Sequence, residues 1–392
     1  MKILLYSTYR PDMLDGASVS GRNLVRALRE RQADVTVCTT DLGWTQNHIG
    51  AHGDKRKDLH LSHAWFSHIL EISPGLVLFF CKTIRSFNVV HFRGVFSLGT
   101  IVGSFIARRL KKPYIISLVG DRVPSWNERS AINHGTIKYF YSKFLIRRSL
   151  QDADYIVCTS EMECNQITTQ FNIHNVRVTS IPDGLAISAY SKSIERSILQ
   201  KKLGIMPTKS IYLFLGRLSK EKALEFLIEA WKKVIAQRKN SVLVIAGGNR
   251  LNLKYIESLR KRITALELSE SVLLPGSVSG ELKNALLQNS CCLLLSSYRE
   301  SFGIVVLEAL ASGIPVLTSM GTPWECLENE GLGRWLPWDT NIWAEAMIKQ
   351  ADMAKSMDKK FLLKSRQWVN ENFSWEKVAE RYIEVYQETG KC

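Results

Sequence analysis

The amino-acid sequence predicts an α/β protein with two doubly wound domains that face each other across a cleft. Short apolar runs alternate with stretches of helical periodicity along most of the chain, which is the pattern of β–α units and parallel sheets. The polar stretch 183–208 has no strand pattern, so it separates two such series. With 392 residues, of which 45% are hydrophobic, the chain is long enough for two to three domains of ordinary size.

The periodicity places a Rossmann-like domain at residues 1–185, a linker region at 186–208, a second Rossmann-like domain at 209–372 and a terminal segment at 373–392. In the first domain, strands are predicted at 2–7, 34–39, 89–92, 114–118, 155–159 and 176–181, and helices at 17–31, 98–110, 136–150 and 161–170. In the second, strands are predicted at 210–215, 242–246, 272–274, 292–295 and 315–318, and helices at 221–237, 253–265, 280–288 and 302–311. Residues 373–388 predict a last helix that packs back towards the first domain.

The charge of the chain is strongly positive, at +15, which permits nucleic acid, an anionic membrane surface or phosphorylated ligands as partners. Residues 108–148 contain ten Lys and Arg against two Asp and Glu. Within them, residues 138–148 mix bases with aromatic residues at helical spacing. Such a segment can lie on an anionic membrane surface, or it can place its apolar face in the core and its bases in solvent.

Composition also bears on location. No apolar run is long enough to span a bilayer, and the first six residues are too short for a signal peptide and predict a strand. The eight cysteines are scattered without metal-site spacing. We therefore expect a cytoplasmic protein with reduced, buried thiols.

The segment from Gly216 to Lys222 follows a predicted strand and precedes a predicted helix. The amino terminus of a helix suits an anion, and Arg217 and Lys222 add two cationic side chains. A diphosphate fits this pattern. A capped helix with surface bases is the alternative for the motif alone.

Two glutamates, Glu300 and Glu308, are separated by seven residues around the start of a predicted helix. Both can reach the carboxyl end of a parallel sheet, where open α/β sheets bind ligands. Carboxylates there can accept hydrogen bonds from the paired hydroxyls of a sugar or ribose. Taken alone, the pair also fits two solvated glutamates beside a helix start.

Four sequence features occur in one order: Gly216-Arg217-Leu218 with Glu221-Lys222, Ala246-Gly247-Gly248, Pro275-Gly276, and the block from Glu300-Ser301-Phe302-Gly303 through Glu308 to Val316. In this combination the chain resembles a family 4 retaining glycosyltransferase (glycosyltransferase group 1) of the GT-B architecture. The resemblance covers nearly the whole chain, is strongest from Tyr212 to Glu325, and closes with Phe373-Ser374-Trp375. It is looser in the first domain, where Asp15-Gly16-Ala17-Ser18 stands in place of a glycine-rich turn.

The resemblance implies donor-binding roles, residue by residue. Arg217 and Lys222, in the turn opened by Gly216, would hold the diphosphate of the donor. Glu308 would accept the ribose hydroxyls, and Glu300 would contact the transferred sugar. The remaining donor-side positions implied are Gly16 near the phosphates, Gly276 and Val278 near the base, and Ser301, Phe302 and Gly303, whose N–H groups would contact sugar or phosphate.

On the acceptor side the chain departs from the family pattern. Val119 stands at or near the place where many relatives have a histidine, and Asp121 follows it. Asp121 is the substitute candidate for orienting or deprotonating the acceptor. His91 matches a second family histidine, although it can equally be a packed histidine at the end of a strand.

No metal or other cofactor is expected. Asp152-Ala153-Asp154 imitates a metal-binding motif of another glycosyltransferase architecture, but it lies between a predicted helix and a strand and is interpreted as a structural boundary. Residues 43–63 contain four histidines interrupted by Gly, Asp and Lys, which favours a flexible loop over a metal site.

The expected function is transfer of a sugar, with retention, from a UDP- or GDP-linked donor to a lipid-linked or oligosaccharide acceptor. The segment from Gly321 to Glu325 resembles enzymes of bacterial lipopolysaccharide, capsule and exopolysaccharide synthesis, which fits a peripheral protein at the cytoplasmic face of the membrane. The alternatives are another GT-B enzyme, such as a nucleotide-sugar epimerase or a phosphorylase, and a basic nucleic-acid-binding protein. A phosphorylase would need a cofactor-lysine motif that the sequence lacks, and nucleic acid is not expected as a partner.

Overall fold

The computed structural model describes residues 1–7, 16–41, 59–63, 73–95, 97–119, 141–248, 252–354 and 359–390. The chain divides into two compact units. The first contains Met1–Gly184 together with Trp375–Cys392, and the second contains Leu185–Ser374. Within the described residues, no helix is both long and apolar enough to cross a membrane.

Each unit is built on a parallel sheet. The described strands of the first unit form a seven-stranded sheet in the order β3-β2-β1-β4-β5-β6-β7. Their bounds are β1 Lys2–Ser7, β2 Asp34–Thr40, β3 Leu59–Ser62, β4 Val89–Arg93, β5 Tyr114–Ser117, β6 Tyr155–Cys158 and β7 Arg177–Ser180. The helices are α1 Gly16–Glu30, α2 Pro74–Thr83, α3 Leu98–Arg109, α4 Arg147–Gln151, which follows a π-helical turn at Tyr141–Ile146, α5 Glu161–Phe171 and, at the other end of the chain, α14 Trp375–Thr389.

The six strands predicted for this half are present within one or two residues of their expected ends. A flexible loop was predicted over residues 43–63. The prediction is wrong for the last residues of this segment, because Leu59–Ser62 is an edge strand that pairs in parallel with β2. Helix α2 was not predicted, since its sequence is apolar on nearly all faces and lacks a stripe. Its start does carry a signal: the Ser73 Oγ accepts a bond from the Leu76 N–H at 3.3 Å, and Pro74 follows.

The second unit repeats the architecture. Its described strands form a six-stranded parallel sheet in the order β10-β9-β8-β11-β12-β13. Their bounds are β8 Ser210–Leu215, β9 Ser241–Ala246, β10 Val272–Gly276, β11 Cys292–Leu295, β12 Val316–Ser319 and β13 Gly333–Leu336. The helices are α6 Ser197–Leu203, α7 Leu224–Gln237, α8 Leu253–Ala265, α9 Gly280–Asn289, α10 Val305–Ala311, α11 Cys326–Asn329, α12 Thr340–Ala354 and α13 Lys359–Phe373.

The core of this unit explains why its central strands were predictable. Strands β9 and β11 are buried along their whole length, as expected for central strands of a parallel sheet covered by helices on both faces. Large aromatic side chains of this core, Trp231 from helix α7 and Tyr212 from strand β8, are fully buried, and their polar atoms are hydrogen-bonded. The Trp231 Nε1–H donates to Ser271 Oγ at 3.1 Å, and the Tyr212 hydroxyl donates to the Met347 carbonyl at 3.1 Å. Residues 186–208, predicted as a linker region, carry the turn Ile187–Tyr190 and α6 within this unit.

The cysteine prediction holds only in part. The cysteines among the described residues are free, as expected. Cys81 and Cys326 are exposed, however, so these two are not the buried thiols that were predicted.

Candidate functional site

The candidate donor site lies at the carboxyl edge of the second sheet, where the order of the strands reverses. The chain proceeds from β8 to β9 on one side, whereas β11 pairs with β8 on the other. Ligands of open α/β sheets bind at such a switch point. The loop that begins at Gly216 follows β8, and the loop that contains Glu300 follows β11, so the fold brings these two predicted segments to the same place.

Backbone hydrogen bonds join the ends of three neighbouring strands. The Gly216 N–H donates to the Ala246 carbonyl at 3.0 Å, and the Gly247 N–H donates to the Gly276 carbonyl at 2.8 Å. A Cβ on Gly247 would lie 1.7 Å from the Gly216 carbonyl oxygen, so only glycine fits there. The predicted residues Gly216 and Gly276 are therefore held in one backbone layer.

The turn after β8 corrects one prediction. The helix does not begin at Glu221: residues Lys220–Lys222 form a 3₁₀ turn, and α7 begins at Leu224. The cause is Ala223, whose backbone is left-handed at φ 52° and interrupts the helical path. Lys222 is thus positioned by this turn, and the Ser296 Oγ after β11 fixes the turn by donating to the Lys222 carbonyl at 2.8 Å.

Lys222 and Glu300 form an ion pair, Nζ to Oε2, which the sequence did not anticipate. Their side chains are only 16% and 15% exposed, and the Ser297 Oγ donates to the same carboxylate oxygen at 3.0 Å. The Glu300 N–H in turn donates to the Gly321 carbonyl at 2.9 Å. Because the pair is mostly removed from water, loss of one partner would leave an uncompensated charge.

Arg217 is arranged differently. It lies two positions after the end of β8, its side chain is exposed, and it forms no ion pair with another described residue. The same switch point therefore carries one exposed guanidinium and one ammonium held by a carboxylate, which can act together on an anionic group.

The segment from Glu300 to Gly303 also differs from expectation. Helix α10 begins at Val305 and not at Phe302, since Gly303 has φ 83°, a conformation that favours glycine. Phe302 is a core residue: its ring lies 5.0 Å from that of Trp324, and its carbonyl accepts a bond from the Trp324 indole. Since its ring and carbonyl are engaged in the core, Phe302 can serve a ligand through its backbone N–H, and the neighbouring Ser301 and Gly303 are half-buried.

Glu308 is buried, at 8% exposure, and is held by two residues that sequence reasoning missed. The Tyr190 hydroxyl donates to its Oε1 at 2.8 Å, and the Lys283 Nζ donates to the same oxygen at 2.6 Å. Burial first, and the Glu308 charge second, raises the pKa of Tyr190, so this phenol stays a donor. Both of these hydrogen bonds end on Oε1. No described residue donates to Oε2, so this oxygen can accept a bond from a ligand.

Arg366 fixes this arrangement from α13. Its Nε donates to the Ala311 carbonyl at the end of α10, and its Nη2 donates to the Tyr190 carbonyl, each at 2.8 Å. One side chain therefore ties the helix that carries Glu308 to the turn that carries Tyr190. No local sequence signal marks this link, because its partners are 55 and 176 residues away. Val278, predicted beside the base, is half-buried against the core of this unit.

In the first unit, His91 is a packed strand residue. It is fully buried in β4, its Nδ1 lies 2.7 Å from the Tyr386 hydroxyl, and its Nε2 lies 2.8 Å from Ser117 Oγ. Burial first, and the Arg93 cation second, lowers the pKa of His91 well below its ordinary value, so the ring is neutral. Val119 is half-buried just after β5, and Asp121 lies outside the described residues. Gly16 is the first residue of α1.

The predicted metal-like motif has structural partners. Asp152 accepts bonds from Arg108 at 2.6 Å and Arg148 at 3.2 Å, and Asp154 accepts from the Tyr114 N–H at 2.8 Å. The motif precedes β6, at the amino edge of the sheet, opposite the edge where ligands bind. Among the described residues there is no cluster that could hold a metal ion.

The basic segment 138–148 is described only from residue 141, and its side chains only from Phe144. The membrane-surface interpretation fits Phe144 and Leu145, which are 58% and 47% exposed. The core interpretation fits Ile146, which is fully buried. The adjacent helix α3 adds an exposed Phe105, with the Arg109 guanidinium 5.5 Å from its ring centre. Apolar and basic side chains thus share this surface.

Comparison with known proteins agrees with both halves of the fold. Residues 14–188 match the family described as Glycosyltransferase Family 4, and residues 195–338 match Glycosyl transferases group 1. The alpha-monoglucosyldiacylglycerol synthase of Streptococcus pneumoniae is 28% identical over 83% of this chain and 72% of its own length.

Solved structures support the fold. The structure of Anabaena HepE (Alr3699) in complex with UDP has a TM-score of 0.77 and 18% identity, covering 99% of this chain and all of that one. WaaG, a glycosyltransferase involved in lipopolysaccharide biosynthesis, has a TM-score of 0.69 and 16% identity, covering 98% of this chain and 99% of that one. Both likenesses cover nearly the whole length of the chain. The chain belongs to the family 4, group 1 glycosyltransferases, enzymes of the GT-B fold.

Proposed function

We propose that this glycosyltransferase moves a sugar, with retention, from a nucleoside diphosphate sugar bound by the second unit to an acceptor bound by the first unit. The observation that carries the proposal is the switch point of the second sheet, where the Lys222–Glu300 ion pair joins the loops after β8 and β11 and Arg217 lies in the first of these loops. Cations suit a diphosphate, and a carboxylate suits sugar hydroxyls.

In the proposed reaction, the acceptor oxygen forms a bond to the anomeric carbon while the bond from that carbon to the diphosphate oxygen breaks. The proton of the acceptor hydroxyl passes to the leaving diphosphate. Arg217 and Lys222 stabilise the negative charge that develops there, which is the kind of electrostatic effect that supplies large parts of enzymatic rate. Glu308, held by Tyr190 and Lys283, offers Oε2 to the ribose hydroxyls.

The donor is proposed to be UDP- or GDP-linked. Of the two nucleotides, UDP is the first to test, because the Anabaena structural neighbour was solved in complex with UDP. A panel of nucleoside diphosphate sugars, scored by nucleotide release with and without membrane extract, tests the proposal. We expect one donor to be consumed faster when extract is present. Release that never depends on an acceptor, or conversion of one nucleotide sugar into another, would instead indicate a hydrolase or an epimerase.

We expect transfer to be independent of divalent metal. Arg217 and Lys222 supply positive charge at the proposed diphosphate site, and the aspartates of 152–154 bond to arginines and a backbone N–H at the other edge of their sheet. The rate should therefore survive excess EDTA after donor and acceptor have been identified. Abolition by EDTA with rescue by Mg²⁺ or Mn²⁺ would contradict this prediction.

The acceptor is proposed to be lipid-linked or an oligosaccharide, in bacterial lipopolysaccharide, capsule or exopolysaccharide synthesis at the cytoplasmic face of the membrane. A lipid-modifying relative and a lipopolysaccharide enzyme among the structural neighbours support this assignment. The exposed Phe105, Phe144 and Leu145, beside basic side chains, support peripheral attachment.

Membrane attachment predicts a dependence on lipid charge. Replacing Lys138, Lys143, Arg147 and Arg148 with glutamine should weaken binding to anionic vesicles by roughly 10²–10³-fold, since each base near such a surface contributes about 1 kcal/mol. Flotation with anionic and neutral vesicles measures this. The control variant carries four glutamines at exposed lysines of the second unit, Lys201, Lys202, Lys232 and Lys239, and should bind like the wild type. Equal losses in both variants, or no binding to anionic vesicles at all, would contradict the assignment.

A further inference from the structure

A buried arginine in the first unit is not accounted for by the donor chemistry. Arg93 is the last residue of β4 and is 3% exposed. Its Nη2 donates to Ser20 Oγ at 3.0 Å. Among the described residues, its Nε and Nη1 are buried without a hydrogen-bond partner, and no carboxylate lies within ion-pair distance. Asp183 is the carboxylate that senses its charge: burial raises the pKa of Asp183, and Arg93 opposes that rise.

An unpaired buried guanidinium is unfavourable in a folded protein. Arginine presents five N–H donors and is always charged, and burial removes the water that would otherwise satisfy them. Nearly all buried polar groups in native proteins have partners, so an exception calls for an explanation. A ligand that brings an oxyanion is one such explanation.

The position of Arg93 in the sheet favours a ligand. Strand β4 pairs with β1, with Arg93 beside Ser7, whereas the chain runs from β1 to β2 on the other side. This is the switch point of the first sheet, the counterpart of the place that holds the donor residues in the second. The arginine is thus at the carboxyl end of a strand, where a small molecule is expected to bind.

The surroundings of Arg93 make room for the guanidinium, and the Asp183 carboxylate interacts with its charge without a direct hydrogen bond. A Cβ on Gly21 would lie 2.8 Å from Nη1, so the helix α1 passes close to the guanidinium only because this residue is glycine. Asp183 is linked to Arg93 through Ser20, which donates to Asp183 Oδ1 and accepts from Arg93. The carboxylate is therefore one hydroxyl removed, and Nε and Nη1 remain available.

We propose that Arg93 binds an oxyanion of the acceptor, a phosphate or a carboxylate, at the switch point of the first unit. The planar guanidinium can bind either group through two parallel hydrogen bonds, one from the second N–H of Nη2 and one from Nε or Nη1. The inference rests on the proposed function in that it takes the first unit as the acceptor side. It narrows the acceptor to an anionic one and assigns its recognition to a residue that the family resemblance did not mark.

The test compares three sugars of the same ring: glucose, glucose 6-phosphate and glucuronate. Binding to the full chain is measured by calorimetry with UDP at saturation, so that the donor side is occupied. We expect at least one of the anionic sugars to bind about tenfold or more tightly than glucose, as expected for a charge-assisted contact. Arg93→Met should abolish that preference and leave UDP binding unchanged. The control Arg26→Met, an exposed arginine on α1, should retain it.

Stability provides a second readout. Arg93→Met removes a buried charge but also the cation that stabilises the Asp183 carboxylate, so if Arg93 serves a ligand, the double variant Arg93→Met/Asp183→Asn should keep the melting temperature of the wild type. No preference for either anionic sugar in the wild type would overturn the inference, and a marked fall in melting temperature would then assign Arg93 to a structural link with Asp183. If Arg93→Met does not fold, Arg93→Lys keeps the charge but loses the two-bond geometry, and it should weaken the preference. Failure of UDP itself to bind the wild type would instead contradict the proposed function.

Discussion

Alanine in place of Arg217 or of Lys222 is expected to lower sugar transfer by about 10²–10³-fold, since each removes a charge-assisted contact to a leaving group that gains negative charge in the transition state. The measurement is the turnover of the donor identified by the panel. Lys220→Ala is the matched control, because this lysine is exposed on the same turn and should be dispensable. Near-wild-type turnover in both Arg217→Ala and Lys222→Ala would contradict the assignment of this site to the diphosphate.

The ion pair between Lys222 and Glu300 adds a check on stability. Arg217 is exposed, so Arg217→Ala should keep the melting temperature of the wild type. Lys222→Ala leaves Glu300 mostly buried and unpaired, and we expect it to destabilise the fold by about 1–3 kcal/mol. Adding Glu300→Gln should recover much of that stability without restoring turnover. Recovery of turnover in the double variant would show that Lys222 only neutralises Glu300 and does not contact the diphosphate.

Glutamine in place of Glu308 is expected to weaken binding of the free nucleoside diphosphate by roughly 1.5–3 kcal/mol, because the ribose loses a charged acceptor. Glu300→Gln should spare that binding and lower sugar transfer, since Glu300 is assigned to the sugar. Calorimetry with UDP separates the two residues. Equal losses of UDP affinity in both variants would refute the separation.

Lys283 and Tyr190 provide a control for how Glu308 is positioned. Both bind its Oε1, so Tyr190→Phe removes one contact and keeps the shape of the side chain. We expect a loss of UDP affinity near the value of an ordinary hydrogen bond, about 1 kcal/mol, and thus less than for Glu308→Gln. A loss larger than that of Glu308→Gln would point to a direct contact between Tyr190 and the nucleotide.

The sequence predicted the central strands of both sheets better than their edges. Strands such as β9 are continuous apolar runs because helices cover both faces, and such runs are visible in a sequence. The edge strands β3 and β13 are four residues long, and one contains a histidine and the other begins with glycine, so neither shows a clear pattern. Their positions depend on pairing with β2 and β12.

The site was predictable where its residues form local motifs, and not where it depends on distant partners. Arg217 and Lys222 stand in one short segment after a strand, and Glu300 and Glu308 surround one helix start. Lys283, Tyr190 and Arg366 reach this region from other helices and turns, and their roles follow only from the packing. The start of α7 was misplaced because a left-handed backbone at Ala223 is not marked by its residue type.

The anomeric configuration of the first product distinguishes retaining from inverting transfer. With the donor and acceptor found by the panel, ¹H NMR can follow the anomeric proton of the transferred sugar in the first product formed. We expect an α-linked nucleoside diphosphate sugar to give an α-linked product, and Arg217→Ala to form it about 10²–10³-fold more slowly. A product of inverted configuration, or one that Arg217→Ala forms at the wild-type rate, would contradict retaining transfer at this site.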